Sequence, residues 1–115
     1  MNFLKSLFAG SGNTLTVTDA KARIDSKQPL IILDVRQPDE FQLGHIAGAK
    51  LIPLGDLQKR MSELPKDTDI LCVCRSGSRS SAAVGHLTRA GFNTLNLRGG
   101  MMGWQSAGYP VKKGK

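Results

Sequence analysis

Two stretches of the chain are almost free of polar interruption: LIILDV (Leu30–Val35) and ILCVC (Ile70–Cys74). A strand wetted on one side alternates apolar and polar residues. An unbroken apolar run instead predicts a strand buried on both faces, as in a parallel sheet. Shorter strand candidates are KLIP (Lys50–Pro53), TLNL (Thr94–Leu97) and TLTV (Thr14–Val17). Between them the apolar spacing turns helical. Thr18 can cap DAKARID, whose Ala20, Ala22 and Ile24 supply an apolar side. LGDLQKRMSEL sets Leu54, Leu57, Met61 and Leu64 at helical intervals before Pro65 stops it. SSAAVGHLTRAG sets Ala83, Leu87 and Ala90 on one face and ends at Gly91, and MMGWQSAG predicts a last short helix. Strands alternating with helices predict an α/β domain with a mostly parallel sheet.

A chain of 115 residues suits one such domain. The pattern places it at residues 13–111, with residues 1–12 as an N-terminal extension and 112–115 as a basic tail. Phe3, Leu4, Leu7 and Phe8 could form one amphipathic turn, which we read as docking on the domain or fraying rather than anchoring in a membrane. The opening MNFLKSLFAGSG makes a poor signal peptide and no apolar run approaches a membrane span. The net charge of +7 favours an anionic partner. The lysines are scattered and the chain has one Trp and one Tyr, which argues against nucleic acid. Two cysteines are too few for a disulfide scaffold, and at i and i+2 on a strand they fit a disulfide poorly. Both read as thiols of a reducing, cytoplasmic compartment. Cys72, Cys74, His45 and His86 do not form a zinc spacing, so neither metal nor cofactor is expected. His45 reads as a loop anchor, and His86 as a partly exposed helix residue.

The chemistry concentrates in CVCRSGSRSS (Cys72–Ser81). Cys74 ends a predicted strand, and the next residues lead into a predicted helix. In open parallel sheets ligands sit beyond the carboxyl ends of the strands. The first N–H groups of a helix lack intrahelical partners, and the dipole there is positive, so an anion is welcome. Gly77 lets the backbone turn, Ser76, Ser78 and Ser80 add short donors, and Arg75 and Arg79 add forked cationic ones. The same features favour a thiolate at Cys74, competent as a nucleophile near neutral pH. Cys72 reads as a small buried strand residue. A phosphate-binding loop without catalysis is the competing reading, although the Walker pattern is absent.

CRSGSRS after an apolar strand resembles the active-site loop of single-domain rhodaneses. ILDVRQPDEFQLGHIAGAKLIPL (Ile32–Leu54) is similar to that family's upstream signature, and LRGGMMGWQSAGYPV (Leu97–Val111) to its closing segment. The resemblance implies a five-stranded parallel sheet flanked by helices on both faces, and a sulfurtransferase that carries sulfur as a cysteine persulfide. It implies Cys74 as nucleophile, Arg75, Ser76, Gly77, Ser78, Arg79 and Ser80 as the anion cradle, and Asp34, Arg36 and Glu40 as support, with Glu40 pairing Arg36. Trp104 matches a packing aromatic. A small anionic donor such as thiosulfate, and cyanide, a thiol or a protein as acceptor, are the implied partners. The rivals are a cysteine phosphatase or arsenate reductase-like enzyme, and a non-catalytic module of the same fold. Cysteine phosphatases generally space Cys and Arg by five residues, whereas four separate Cys74 from Arg79.

Overall fold

The computed structural model describes residues 14–115. The expectations for the N-terminal extension, including Phe3, Leu4, Leu7 and Phe8, lie outside the described residues. Five strands form one sheet: β1 (Thr14–Leu15), β2 (Ile31–Asp34), β3 (Lys50–Leu51), β4 (Ile70–Val73) and β5 (Thr94–Leu97). Their order is β1-β5-β4-β2-β3, and every pairing is parallel. β4 therefore sits in the middle, and all four of its residues are buried.

Alternation along the two central strands divides the core in two. Leu33, Val35, Ile70, Cys72 and Cys74 face one cluster; Ile32, Leu71 and Val73 face the other. This is why the two apolar runs lack a polar face: each covers two cores. The first cluster is closed by Ile52, Leu57, Leu64, Ala83, Val84, Leu87 and Phe92. The second is closed by Ala20, Met101 and Trp104. Each buried Leu, Ile or Val contributes about 1.5–3 kcal/mol relative to exposure, so both faces of β4 hold the middle of the sheet in place. Trp104 also donates its indole N–H to the Pro110 carbonyl at 2.8 Å, so the large side chain is buried without an unpaired donor.

Helix α1 (Val17–Asp25) starts earlier than the sequence suggests. Its cap is Thr16, whose Oγ1 accepts the Asp19 N–H at 3.1 Å, and not Thr18. β1 is accordingly only two residues long, because Val17 is already helical. Helix α2 (Pro38–Leu43) has no counterpart in the apolar pattern, since among its residues only Phe41 is buried. Its signal is local: Pro38 in the first turn, and Glu40 Oε1 accepting the Gln37 N–H at 3.0 Å. The segment read as one helix over Leu54–Leu64 is a 3₁₀ turn (Leu54–Asp56), a single α turn α3 (Leu57–Arg60) and a second 3₁₀ turn (Met61–Glu63). It still presents Leu57 and Leu64 to the core. Helices α4 (Ser78–Arg89) and α5 (Gly100–Ser106) complete the fold. Beyond Val111 the chain continues to bond: Lys112 and His45 exchange backbone hydrogen bonds at 2.8 and 2.9 Å. No helix among the described residues is long and apolar enough to cross a membrane.

Candidate active site at the end of β4

Cys74 follows the last residue of β4, and α4 begins four residues later at Ser78. The intervening chain must reverse, and Gly77 does so with φ at +108°, a region that side chains resist. The turn brings donors onto the sulfur. The Gly77 N–H lies 3.1 Å from Cys74 Sγ, and Ser80 Oγ lies 3.3 Å from it. Burial raises the thiol pKa; the Ser80 hydroxyl and the backbone N–H groups of Ser80, Gly77 and Ser76 outweigh it, so the net shift is downward. Cys74 is then a buried sulfur whose anionic form is favoured by hydrogen bonds.

The loop is clamped from behind. Met101 N–H donates to the Cys74 carbonyl at 2.9 Å, and Met102 N–H to the Arg75 carbonyl at 3.0 Å. The start of α5 thus takes the loop carbonyls, leaving loop N–H groups for the sulfur. That approach requires Gly100. A Cβ there would meet the Arg75 carbonyl oxygen at 2.4 Å and the Cys74 oxygen at 2.6 Å, and φ is +60°. From β5, Asn96 donates its amide to the Gly77 carbonyl at 3.1 Å. Neither Asn96 nor Gly100 is singled out by sequence reasoning. The LRGG glycine pair was the available signal; nothing local marked Asn96.

The arginines act less directly than their number suggests. Arg79 is committed to Glu40, with Nη1–Oε1 at 2.7 Å and Nη2–Oε2 at 2.9 Å. This fork, with the Gln37 N–H added and burial opposing, holds the Glu40 carboxyl down to about 2. Glu40 in turn raises the Arg79 pKa; the Cys74 charge does so to a smaller extent, which places Arg79 in electrostatic reach of the sulfur. Arg75, Ser76 and Ser78 are exposed, and Ser80 is buried.

Glu40 does not pair Arg36, as the resemblance implied. Arg36 is taken by Asp34, with Nε–Oδ1 at 2.9 Å and Nη2–Oδ2 at 2.8 Å, and by the Gly44 carbonyl at 2.8 Å. Asp34 is only two residues away and equally buried, so it reaches the guanidinium first, while α2 aims Glu40 at the loop. The structure thus brings Cys74, Gly77, Arg79, Ser80 and Glu40 together, and Asp34–Arg36 forms a separate buried pair at the end of β2. His45 is buried, stacked on Phe41 and bonded through Nδ1 to the Phe41 carbonyl at 2.8 Å, as a loop anchor. His86 is partly exposed on α4.

The profile described as a rhodanese-like domain matches residues 16–107. A sulfurtransferase of Allochromatium vinosum is 36% identical over 100 residues, covering 86% of this chain and 94% of the relative. The putative sulfurtransferase YtwF of Bacillus subtilis is 38% identical over 90 residues, covering 78% and 87%. The putative sulfur carrier protein YrkF of the same organism is 40% identical over 85 residues, 73% of this chain and 46% of that protein. Among solved structures, a rhodanese-related protein of Thermoplasma volcanium superposes with a TM-score of 0.81 at 33% identity, covering 86% and 96%.

Proposed function

From the premise that this chain belongs to the rhodanese-like domain family, we propose that it moves a sulfane sulfur through a persulfide on Cys74. The Cys74 thiolate attacks the outer sulfur of a donor such as thiosulfate. A bond forms between Sγ and that sulfur, the donor's S–S bond breaks, and its electron pair leaves with sulfite. The enzyme then carries Cys74–S–S⁻. Cyanide, a thiol or a protein acceptor takes the outer sulfur, and the thiolate returns.

The observation that carries this reading is the set of donors around Cys74 Sγ, made by Gly77 N–H and Ser80 Oγ. The set favours a single-atom anion on the sulfur. The exposed N–H side of the loop would hold the outer, charged sulfur once it is transferred. A relative named as a sulfur carrier protein supports a protein among the acceptors.

The test is to incubate the native chain with thiosulfate and weigh it intact. A gain of one sulfur atom, located on the Cys74 peptide and removed by cyanide, is expected. No gain, or a better kcat/KM for an aryl phosphate than for thiosulfate, would overturn the reading.

A further inference from the structure

The sheet sets Asn96 beside the catalytic loop. Cys72 of β4 and Asn96 of β5 are partners in register, and directly paired residues of a parallel ladder share a face. Asn96 therefore stands on the Cys74 side of the sheet, while Leu95 and Leu97 on either side of it enter the other core. Its amide spans two points of the loop. Nδ2 donates to the Gly77 carbonyl at 3.1 Å, and Oδ1 lies 2.5 Å from Ser80 Oγ. Turning the amide over would set Oδ1 against the Gly77 carbonyl oxygen, acceptor against acceptor. The Gly77 contact thus dictates that Ser80 meets the carbonyl end.

Ser80 Oγ also lies 3.3 Å from Cys74 Sγ. A hydroxyl has one proton to donate. When Cys74 is ionised, both neighbours are acceptors, and the proton can serve only one of them. The other charged and titratable groups around the sulfur are Cys72 on β4, Asp34 and Arg36 at the end of β2, Glu40 on α2, Arg75 in the loop and Arg79 on α4. Asp34 and Arg36 are spent on each other, as are Glu40 and Arg79. Among the described residues none of these side chains hydrogen-bonds Ser80 or Asn96.

We propose that Asn96 is a positioning residue that competes with Cys74 for the single Ser80 proton and recovers it when the charge leaves Sγ for the outer sulfur of the persulfide. The proposal rests on Cys74 being the sulfur-carrying nucleophile. In the resting thiolate the hydroxyl turns to Sγ, and Asn96 Oδ1 loses its partner. Once the new S–S bond forms, Sγ is neutral and the negative charge sits one atom further out. The hydroxyl then turns back to Oδ1. Only hydrogen bonds change hands in this exchange. Its effect is to stabilise the thiolate less than an uncontested hydroxyl would. That keeps the sulfur more nucleophilic, because nucleophilicity falls as thiol pKa falls. It also favours loading, because loading restores a hydrogen bond that ionisation broke.

The experiment is a double-mutant cycle read by the pH dependence of Cys74 alkylation with iodoacetamide, followed by mass. The four proteins are the native chain, Asn96→Leu, Ser80→Ala and the double variant. Asn96→Leu also removes the Gly77 contact, and the part of that effect that does not pass through Ser80 cancels in the cycle. The expected coupling is downward: Asn96→Leu lowers the alkylation midpoint more when Ser80 is present than when it is absent. The limiting rate of the fully ionised thiolate falls with it, about threefold for each unit of lowering. Zero or upward coupling would overturn the proposal. A second measurement uses the native protein and depends on no variant of Asn96. The side-chain amide resonances of Asn96 should move with the Cys74 titration, and should stop doing so in Ser80→Ala. A stationary Asn96 amide in the native chain would equally overturn it. Alkylation needs no sulfur donor, so a chain that shows the coupling but takes up no sulfur from thiosulfate would sink the sulfur-transfer reading while leaving the shared proton in place.

Discussion

Cys72 and Cys74 are two residues apart at the end of the same strand, face the same core and are both buried. Their acidities nevertheless diverge. Burial, with the neighbouring Cys74 charge added, pushes the Cys72 thiol up to about 12. Cys74 moves the other way, against its burial, because the Ser80 hydroxyl and the N–H groups of Ser80, Gly77 and Ser76 reach its sulfur. A buried thiol is inert by default, and hydrogen bonds to the anion reverse that default. The strand alone makes Cys72, whereas the loop after it makes Cys74. The Cys74 charge widens this difference, since it discourages one on Cys72.

Removing the sulfur that the loop serves should have the largest effect. Cys74→Ser is expected to abolish transfer from thiosulfate to cyanide, whereas Cys72→Ser should keep most of it. Equal loss in both, with folding intact by circular dichroism, would end the distinction between the two cysteines.

Gly100→Ala comes next. Its Cβ would collide with the carbonyl oxygens of Cys74 and Arg75, so the loop must shift while β4 stays paired on both sides. We expect at least a tenfold loss in kcat/KM, together with a loss of about 1–3 kcal/mol in stability from the strained backbone. Cys74 should then alkylate more like Cys72, which a pH–rate profile would show.

Ser80→Ala sharpens the comparison without moving the backbone. One donor to the anion is lost, so the thiolate is less stabilised and the Cys74 pKa rises. Alkylation should slow several-fold near neutral pH and recover at high pH, where the thiol is ionised in both proteins. A profile that does not move upward would show that the N–H groups alone suffice.

Glu40→Gln should have the smallest effect. The Glu40–Arg79 pair is partly exposed, so its loss is expected to cost about 1 kcal/mol at neutral pH. Glu40 has a folded pKa of about 2 against an ordinary value of 4.5. Its contribution is therefore complete above about pH 4.5 and fades as pH falls towards 2. Chemical denaturation of both proteins across that interval should show their stabilities converging at the acid end. A difference that persists at pH 2 would argue against the ion pair as its source.

The elements that were readable in advance are those whose cause is local. Unbroken apolar runs marked β2 and β4, and TLNL marked β5 to the residue. The loop was readable because a strand end, a glycine and a helix start are adjacent in the chain. α2 was missed because it buries little, and the Leu54–Leu64 segment shows that helical spacing of leucines can be met by short turns as well as by a helix. Glu40 pairs Arg79 and not the Arg36 that the resemblance implies, because the choice between them depends on where α2 points.

The sequence by itself determined a parallel α/β sheet, the place of Cys74 at a strand end, and the composition of the loop that follows it. These depend on residues within a few positions of one another, where backbone geometry leaves few choices. Only the tertiary structure decided that α5 holds the loop carbonyls across Gly100, that Glu40 holds Arg79, and that the Asn96 amide bridges Gly77 and Ser80. Each of these joins residues from different elements, and distance in space between elements is set by how the two cores pack, which no local pattern encodes.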